Sequence, residues 1–379
     1  MKRAVLLCLA LTVLSAPTWP AGLHDEIPFR KHTLDLGAAE ACAVADINGD
    51  GSLDVVAGEN WFEGPAWTPH RFRELIFQSG YIDAFSDYGI DVEGDGDVDV
   101  VTVGWFSKEV AWHENPGQGR GTWARHVIDS GSPTEFAVLA DLDNDGRALE
   151  LLPQFGDEKA PLAWFGIEDG TFVKHVVSPM SYGHGIGAGD VNGDGKTDIL
   201  TSRGWWEAPT DPRSGQWTHH EEFAAFEFPH LGFLQVKDVD GNGRPDVVTS
   251  YAHGYGVLWL EQLGDGQWTR HMIDESWSQP HAVTLADLNG DRQFDIVTGK
   301  RFHAHNGKDP GGNEPLGLYW YEHRPGQAGL TWKRHVIDYG SRVGGGMQIP
   351  VVDIDGDGDL DILAPGKSGL FLFENLSAE

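Results

Sequence analysis

Two sets of side chains in this chain of 379 residues have the types and spacing to do chemistry. The first is acidic. A nine-residue pattern, Asp-x-Asn/Asp/Glu-Gly/Asn-Asp/Asn-Gly/Arg with a carboxylate at or next to position nine, starts at Asp46, Asp91, Asp141, Asp190, Asp238, Asp287 and Asp353. Alternate oxygen donors at positions one, three and five, a sharp turn at six and a later carboxylate make a loop for a hard cation, calcium above all. The expected ligands are Asp46, Asn48, Asp50 and Asp54 in the first copy and Asp91, Glu93, Asp95 and Asp99 in the second. The third offers Asp141, Asp143 and Asp145, and the fourth Asp190, Asn192, Asp194 and Asp198. Asp238, Asp240, Asn242 and Asp246 follow, then Asp287, Asn289, Asp291 and Asp295, then Asp353, Asp355, Asp357 and Asp361. Two copies depart from the pattern and are expected to bind weakly or not at all. Leu149 stands at position nine of the third, with Glu150 after it, and Arg292 replaces the usual Gly in the sixth.

The second set is imidazole. Six residues before each motif Asp stand Glu40, Phe85, Glu135, His184, Gly232, His281 and Met347, with His230 two residues ahead of Gly232. A long insertion, Lys300-Arg301-Phe302-His303-Ala304-His305-Asn306-Gly307-Lys308-Asp309, adds a His-x-His clamp. Imidazoles suit zinc or a similar borderline divalent cation, for which oxygen-only loops have no need. The expected ligands of such an ion are His184, His230, His281 and His305.

The acidic motif also measures the chain. Successive copies start 45, 50, 49, 48, 49 and 66 residues apart, the last gap being widened by the His-x-His insertion. A unit of that size cannot bury a core alone and must stack on its neighbours. In the sixth unit, His281–Ala286 alternates into Asp287, Asp295–Gly299 leaves the acidic loop, Gly317–Glu322 follows, and Thr331–Asp338 ends the unit. Four short strands rich in Val, Ile, Trp and Tyr make one propeller blade. The fourth-strand signature recurs around His126, His175, His220, His271 and His335, and these histidines are expected to be structural. A further copy at Phe29–Leu34, containing His32, precedes the first acidic loop, while the last unit ends after its third strand. The N-terminal strand is therefore expected to complete the last blade and hide both sheet edges. The expected fold is all-β, a seven-bladed propeller of four-stranded blades over residues 22–379.

Loops entering the first strands share one face with the second-to-third-strand loops. That face also receives Tyr251 and His253, and Arg203, Trp205 and Trp206. Trp61, Trp105, Trp205 and Trp206 can floor a sugar site, though such residues more often fill a core.

The repeats resemble the FG-GAP and VCBS-type repeats of integrin heads and secreted bacterial propellers. That resemblance implies structural calcium at the blade rim and names no reaction. The segments Ser181-Tyr-Gly-His184-Gly, Gln279-Pro-His281-Ala and Lys300-Arg-Phe-His303-Ala-His305-Asn are similar to the propeller domain of the aldos-2-ulose dehydratase family. The family's fungal enzyme has additional cupin domains, which these residues do not include. The resemblance implies metal-assisted loss of water from a keto-sugar or acidic saccharide. In that chemistry the metal polarises a carbonyl. His253, Tyr251 or His303 is the candidate base, and Arg203, Lys300 or Arg301 the candidate partner of an oxyanion or uronate. Two rival readings use the same residues differently. One is a non-catalytic, calcium-stiffened propeller that binds carbohydrate or protein. The other is a hydrolase using Glu40 and Glu135 as paired carboxylates.

Composition narrows the partners. A net charge of −31 repels nucleic acid and anionic membranes. Lys2 and Arg3, the apolar run Ala4–Leu14 and the small residues that follow are expected to form a secretory signal over 1–21, without membrane insertion of the mature chain. That predicts a secreted or periplasmic protein. Cys42 would then be its only cysteine, so no internal disulfide forms.

Overall fold

The computed structural model describes residues 26–324, 326 and 330–378, and the expected signal at 1–21 lies outside them. Among the described residues no helix is long and apolar enough to cross a membrane. The architecture is an all-β propeller of four-stranded antiparallel blades. The sixth repeat shows the plan. Pro280–Ala286, Asp295–Lys300, Gly317–Arg324 and Thr331–Tyr339 pair in chain order, close to the bounds that alternation and composition predict. The second strand is buried along its whole length, and the fourth is mostly open to solvent.

Five such sheets stand separately, rather than the seven expected, and eight strands form one larger sheet. In it Ile186–Gly189 and Phe233–Lys237, the first strands of adjacent repeats, pair in parallel. The cause is glycine. A Cβ at Gly187 would lie 2.1 Å from the Leu234 carbonyl oxygen, and one at Gly189 would lie 2.7 Å from Val236. Without side chains the two backbones approach closely enough to hydrogen-bond. At the other end of the chain, Phe29–Asp35 pairs antiparallel with Gly369–Asn375, from Phe29 opposite Asn375 to Asp35 opposite Leu370.

The acidic loops carry their own bracing. Asp46 Oδ2 accepts the Gly51 N–H at 2.9 Å, and Asp190, Asp238 and Asp353 accept from Gly195, Gly243 and Gly358 in the same way. The ninth-position carboxylate works inward. Asp54 is buried, accepting the Ile47 N–H at 2.9 Å and the Gly64 N–H at 2.8 Å, so it ties the loop to the end of the third strand. Asp99, Asp198, Asp246, Asp295 and Asp361 repeat both bonds. Burial pushes the carboxyls of Asp99 and Asp295 up to about 7 and that of Asp198 to about 6.

The two divergent copies keep this form. Glu150, one residue late but one methylene longer, accepts the Leu142 N–H at 3.0 Å. Arg292 takes the left-handed conformation, φ 70°, that Gly would adopt, and its N–H still reaches Asp287. Acidic groups converge in the sets Asp141, Asp143 and Glu150; Asp238, Asp240 and Asp246; and Asp353, Asp355 and Asp357, each of which could hold a metal ion.

The fourth-strand histidines form a second repeated device. His335 stacks on Trp320 with ring centroids 4.0 Å apart, and its Nε2 meets Glu322 at 2.9 Å. His126 on Trp112 with Glu114, His220 on Trp205 with Glu207, and His271 on Trp259 with Glu261 repeat it. His175 stacks on Trp164, with Glu168 at 3.7 Å. Where Leu372 replaces the Trp, His32 still meets Glu374. Where Trp is present, the pattern clasps the outer strand to the third through one ring stack and one imidazole–carboxylate contact.

Candidate functional site

The count of six residues back from each motif Asp finds one place in space. Glu40, Phe85, Glu135, Gly232, His281 and Met347 are buried and His184 nearly so. Gly232 makes room, since a Cβ there would lie 2.6 Å from the His281 carbonyl oxygen. A pocket of about 600 Å³ opens beside them, lined by Glu135, His184, His230, His253 and His305 together with Arg203, Tyr182 and Trp105.

Second contacts orient the imidazoles. His184 Nδ1 lies 2.6 Å from the Leu231 carbonyl oxygen, which can only accept, so Nδ1 carries the proton. His253 Nδ1 donates to Asp309 Oδ2 at 2.9 Å. His281 Nδ1 faces the Gln279 carbonyl oxygen at 3.3 Å, which buried Gln279 aims from a left-handed turn at φ 66°. In the neutral ring each Nε2 is thereby left as a lone pair. His184 and His253 bring theirs within 3.0 Å of each other, and Glu135 Oε2 lies 3.1 Å from the first. His281 Nε2 is buried and makes no hydrogen bond. Donor atoms of Glu135, His184, His253 and His281 all fall within 4.8 Å of one another. Three lone pairs and a carboxylate pointed together repel unless a cation sits among them. Burial, then Arg301, hold His281 well below the usual imidazole range, and burial, then His184, bring His253 down to about 4. Both rings are thus neutral, as metal ligands must be.

A buried ionic layer supports the cluster. Arg301 donates to Glu40 Oε2 at 3.0 Å and to Glu135 Oε1 at 2.7 Å, and Lys367 reaches Glu40 at 3.3 Å. Glu135 therefore offers one oxygen to Arg301 and the other to the histidines. Burial alone would raise its carboxyl, but His184 and Arg301 hold it well below the ordinary range.

The expected residues divide on this geometry. His184 and His281 belong to the cluster. His230 does not, lining the rim with its ring 5.2 Å from those of His184 and His253. His305 stands outside that set, but with His253 and Asp309 it forms a second group that could hold a metal ion. It stacks on His253 at 4.4 Å and donates to Asp309 at 3.0 Å. His253, expected as a base, is instead a member. Tyr251 is off the pocket, with its hydroxyl accepting from Arg270 at 3.0 Å. His303 packs on Phe302, likewise off the pocket. Lys300 is buried with its ammonium on Ser278 and Gly311, so it cannot meet an oxyanion in the pocket. Arg301 is committed to the two glutamates, whereas Arg203 is exposed on the pocket wall. Sharing Arg301 also removes Glu40 and Glu135 as a free carboxylate pair. Two residues were missed. Glu135 as a ligand was signalled by its place in the six-back count, and Asp309 by its place in the insertion.

Comparison with known proteins agrees on the class. Models of the FG-GAP-like repeat match residues 91–152 and 238–298, and a model of the FG-GAP repeat matches 182–209. The chain is a propeller carrying FG-GAP repeats. Aldos-2-ulose dehydratase of Phanerodontia chrysosporium is 23% identical over 326 residues, covering 79% of this chain and 31% of that protein. The chain thus spans about a third of that relative's length. Among solved structures, BBS1N in complex with ARL6DN aligns with a TM-score of 0.56 at 10% identity, covering 92% of this chain and 96% of that one, a likeness of fold alone. A rhamnogalacturonan lyase from Bacillus licheniformis aligns with a TM-score of 0.47 at 11% identity, covering 95% of this chain and 74% of that one.

Proposed function

We propose that this propeller is a metal-dependent carbon–oxygen lyase that removes water from a keto-sugar or acidic saccharide at the mouth. The observation that carries the reading is the convergence of the His184, His253 and His281 Nε2 lone pairs with Glu135. The donor set fits a borderline divalent cation such as zinc, which when bound supplies Lewis-acid polarisation of a substrate carbonyl. The similarity to a dehydratase supports the reaction class.

The chain's own residues supply the rest. His230 stands on the rim, and neither ring nitrogen has a hydrogen-bond partner among the described residues. Partial desolvation, then His184, lower its imidazole below the usual value, which favours the neutral form that can accept a proton. It takes the proton from the carbon beside the carbonyl. The electron pair left behind forms the new double bond as the hydroxyl on the next carbon departs. The imidazolium returns its proton to that hydroxyl, which leaves as water. Exposed Arg203 binds the carbonyl-side oxygen or a uronate. The acidic loops act separately as structural calcium sites, and the eight-stranded sheet counts as two blades. With the N-terminal strand completing the last, seven blades form a closed ring. The signal at 1–21 directs the protein out of the cytoplasm.

Elemental analysis of the purified chain tests the reading. About one zinc-like ion per chain is expected, lost in His281→Ala together with turnover of a keto-sugar, while calcium content is unchanged. Calcium alone, with bound saccharide and no turnover, would leave the non-catalytic binding propeller as the function.

A further inference from the structure

A second chamber of about 220 Å³ opens off the mouth. It shares Trp105, Glu135 and His305 with the main pocket and adds Tyr81, Phe85, Phe106, Ser79 and Asn306. Tyr81, Phe85 and Phe106 form a three-sided wall, with ring centroids 5.8 to 6.2 Å apart. Trp105 and Phe106 are half-buried, while Tyr81 and Phe85 are buried.

The wall is built with care. Buried Asp83 accepts the N–H of Phe106 at 2.9 Å and that of Ser107 at 2.8 Å, fixing the loop that presents Trp105. Opposite the indole stands Gly156, where a Cβ would lie 2.6 Å from a ring carbon of Trp105. The Tyr81 hydroxyl accepts the His305 N–H at 2.8 Å, which locks the insertion to the chamber. The nearby ammonium of Lys367, 3.7 Å from the Tyr81 ring centroid, and the Arg301 guanidinium, 5.3 Å from Phe85, stiffen these rings.

An enclosure with aromatic faces and polar edges fits a pyranose ring, which has apolar C–H faces and a belt of hydroxyls. Ser79, Asn306 and Glu135 supply the polar edge. The chamber joins the mouth at Glu135, a member of the cluster, so its occupant would be covalently next to the reacting sugar. We propose that this chamber is a second sugar subsite and that the substrate is a saccharide of two or more units, not a free monosaccharide. The inference rests on the reading of the mouth as a saccharide site.

Binding, measured without turnover, tests it. Di- and trisaccharides of neutral hexose, hexuronate and amino sugar are each titrated against the full chain alongside their own monosaccharide, by calorimetry. For at least one series the longer sugar should bind about tenfold tighter. That margin should vanish in Phe106→Ala, whose ring lines the chamber and not the main pocket, with monosaccharide affinity unchanged, and Phe106→Tyr should restore part of it. The same titrations in His281→Ala should keep the margin, which separates this subsite from the lyase chemistry. Equal affinity for long and short sugars in every series, or a margin that survives Phe106→Ala, overturns the proposal.

Discussion

Histidine does opposite things at the rim of the blades and at the mouth. On the outer strands each imidazole lies flat on a Trp ring and gives one nitrogen to a glutamate, as His126 does with Trp112 and Glu114. Sequence neighbours alone make that contact, since Trp112 and His126 face each other across one strand pair. At the mouth the rings meet near right angles, with His184 and His253 at 75° and His253 and His281 at 88°. The partners of His184 and His253 come from the next repeat, and the free nitrogens face inward. The first arrangement gives most of these imidazoles a carboxylate partner where they stand, His175 being the exception, with a buried Nε2 that makes no hydrogen bond. The second leaves lone pairs unsatisfied and buried, a condition that stability alone does not favour. The difference teaches that the number of histidines says little, and that which nitrogen is already occupied says much.

That contrast can be broken from either side. The largest effect is expected from His281→Ala or Glu135→Gln, each removing one donor of the cluster. Bound transition metal should fall from about one per chain to background, read by elemental analysis. A metal content unaffected by both would erase the distinction between the two kinds of histidine. Next comes Asp309→Asn, which weakens the contact that orients His253. It should reduce metal affinity roughly 10- to 100-fold without abolishing it, as loss of an outer-shell partner does, measured by competition with a chromogenic chelator. Smaller again is His335→Ala. This ring is buried, so losing the stack on Trp320 and the bond to Glu322 should cost about 1–3 kcal/mol in urea unfolding, with full metal content retained. Smallest is His126→Ala, where the side chain is 43% exposed. A loss below about 1 kcal/mol is expected there, and a larger one would mean that the outer clasp matters more than its exposure implies.

Much of the fold was legible. Alternating apolar residues and the acidic ruler located the strands of the sixth repeat to within about two residues. The fourth-strand histidines were readable as structural because Trp, Arg and His recur together in one short strand. The parallel pairing of Ile186–Gly189 with Phe233–Lys237 was not legible, because glycine marks a possible close approach without saying to what. The role of Glu150 was missed for a related reason. A position rule does not register that one extra methylene can offset a one-residue shift. At the mouth, counting back six residues found Glu135, His184 and His281, but nothing in the sequence ranked His253 above His230 or His305.

By itself, then, the sequence determined the repeat, the strand plan, the acidic loops and the set of residues that reach the mouth. Each of these is a local matter of periodicity and turn chemistry, decided within about 50 residues. The tertiary structure decided which of those residues act together. Asp309 and the Leu231 and Gln279 carbonyls choose the tautomers of His253, His184 and His281, and Arg301 draws one Glu135 oxygen away while leaving the other. For His184 and His253, tautomer and orientation depend on atoms that approach from the next repeat, whereas the Gln279 carbonyl is only two residues from His281. No spacing along the chain encodes those approaches, because they exist only once the sheets are packed around a common centre.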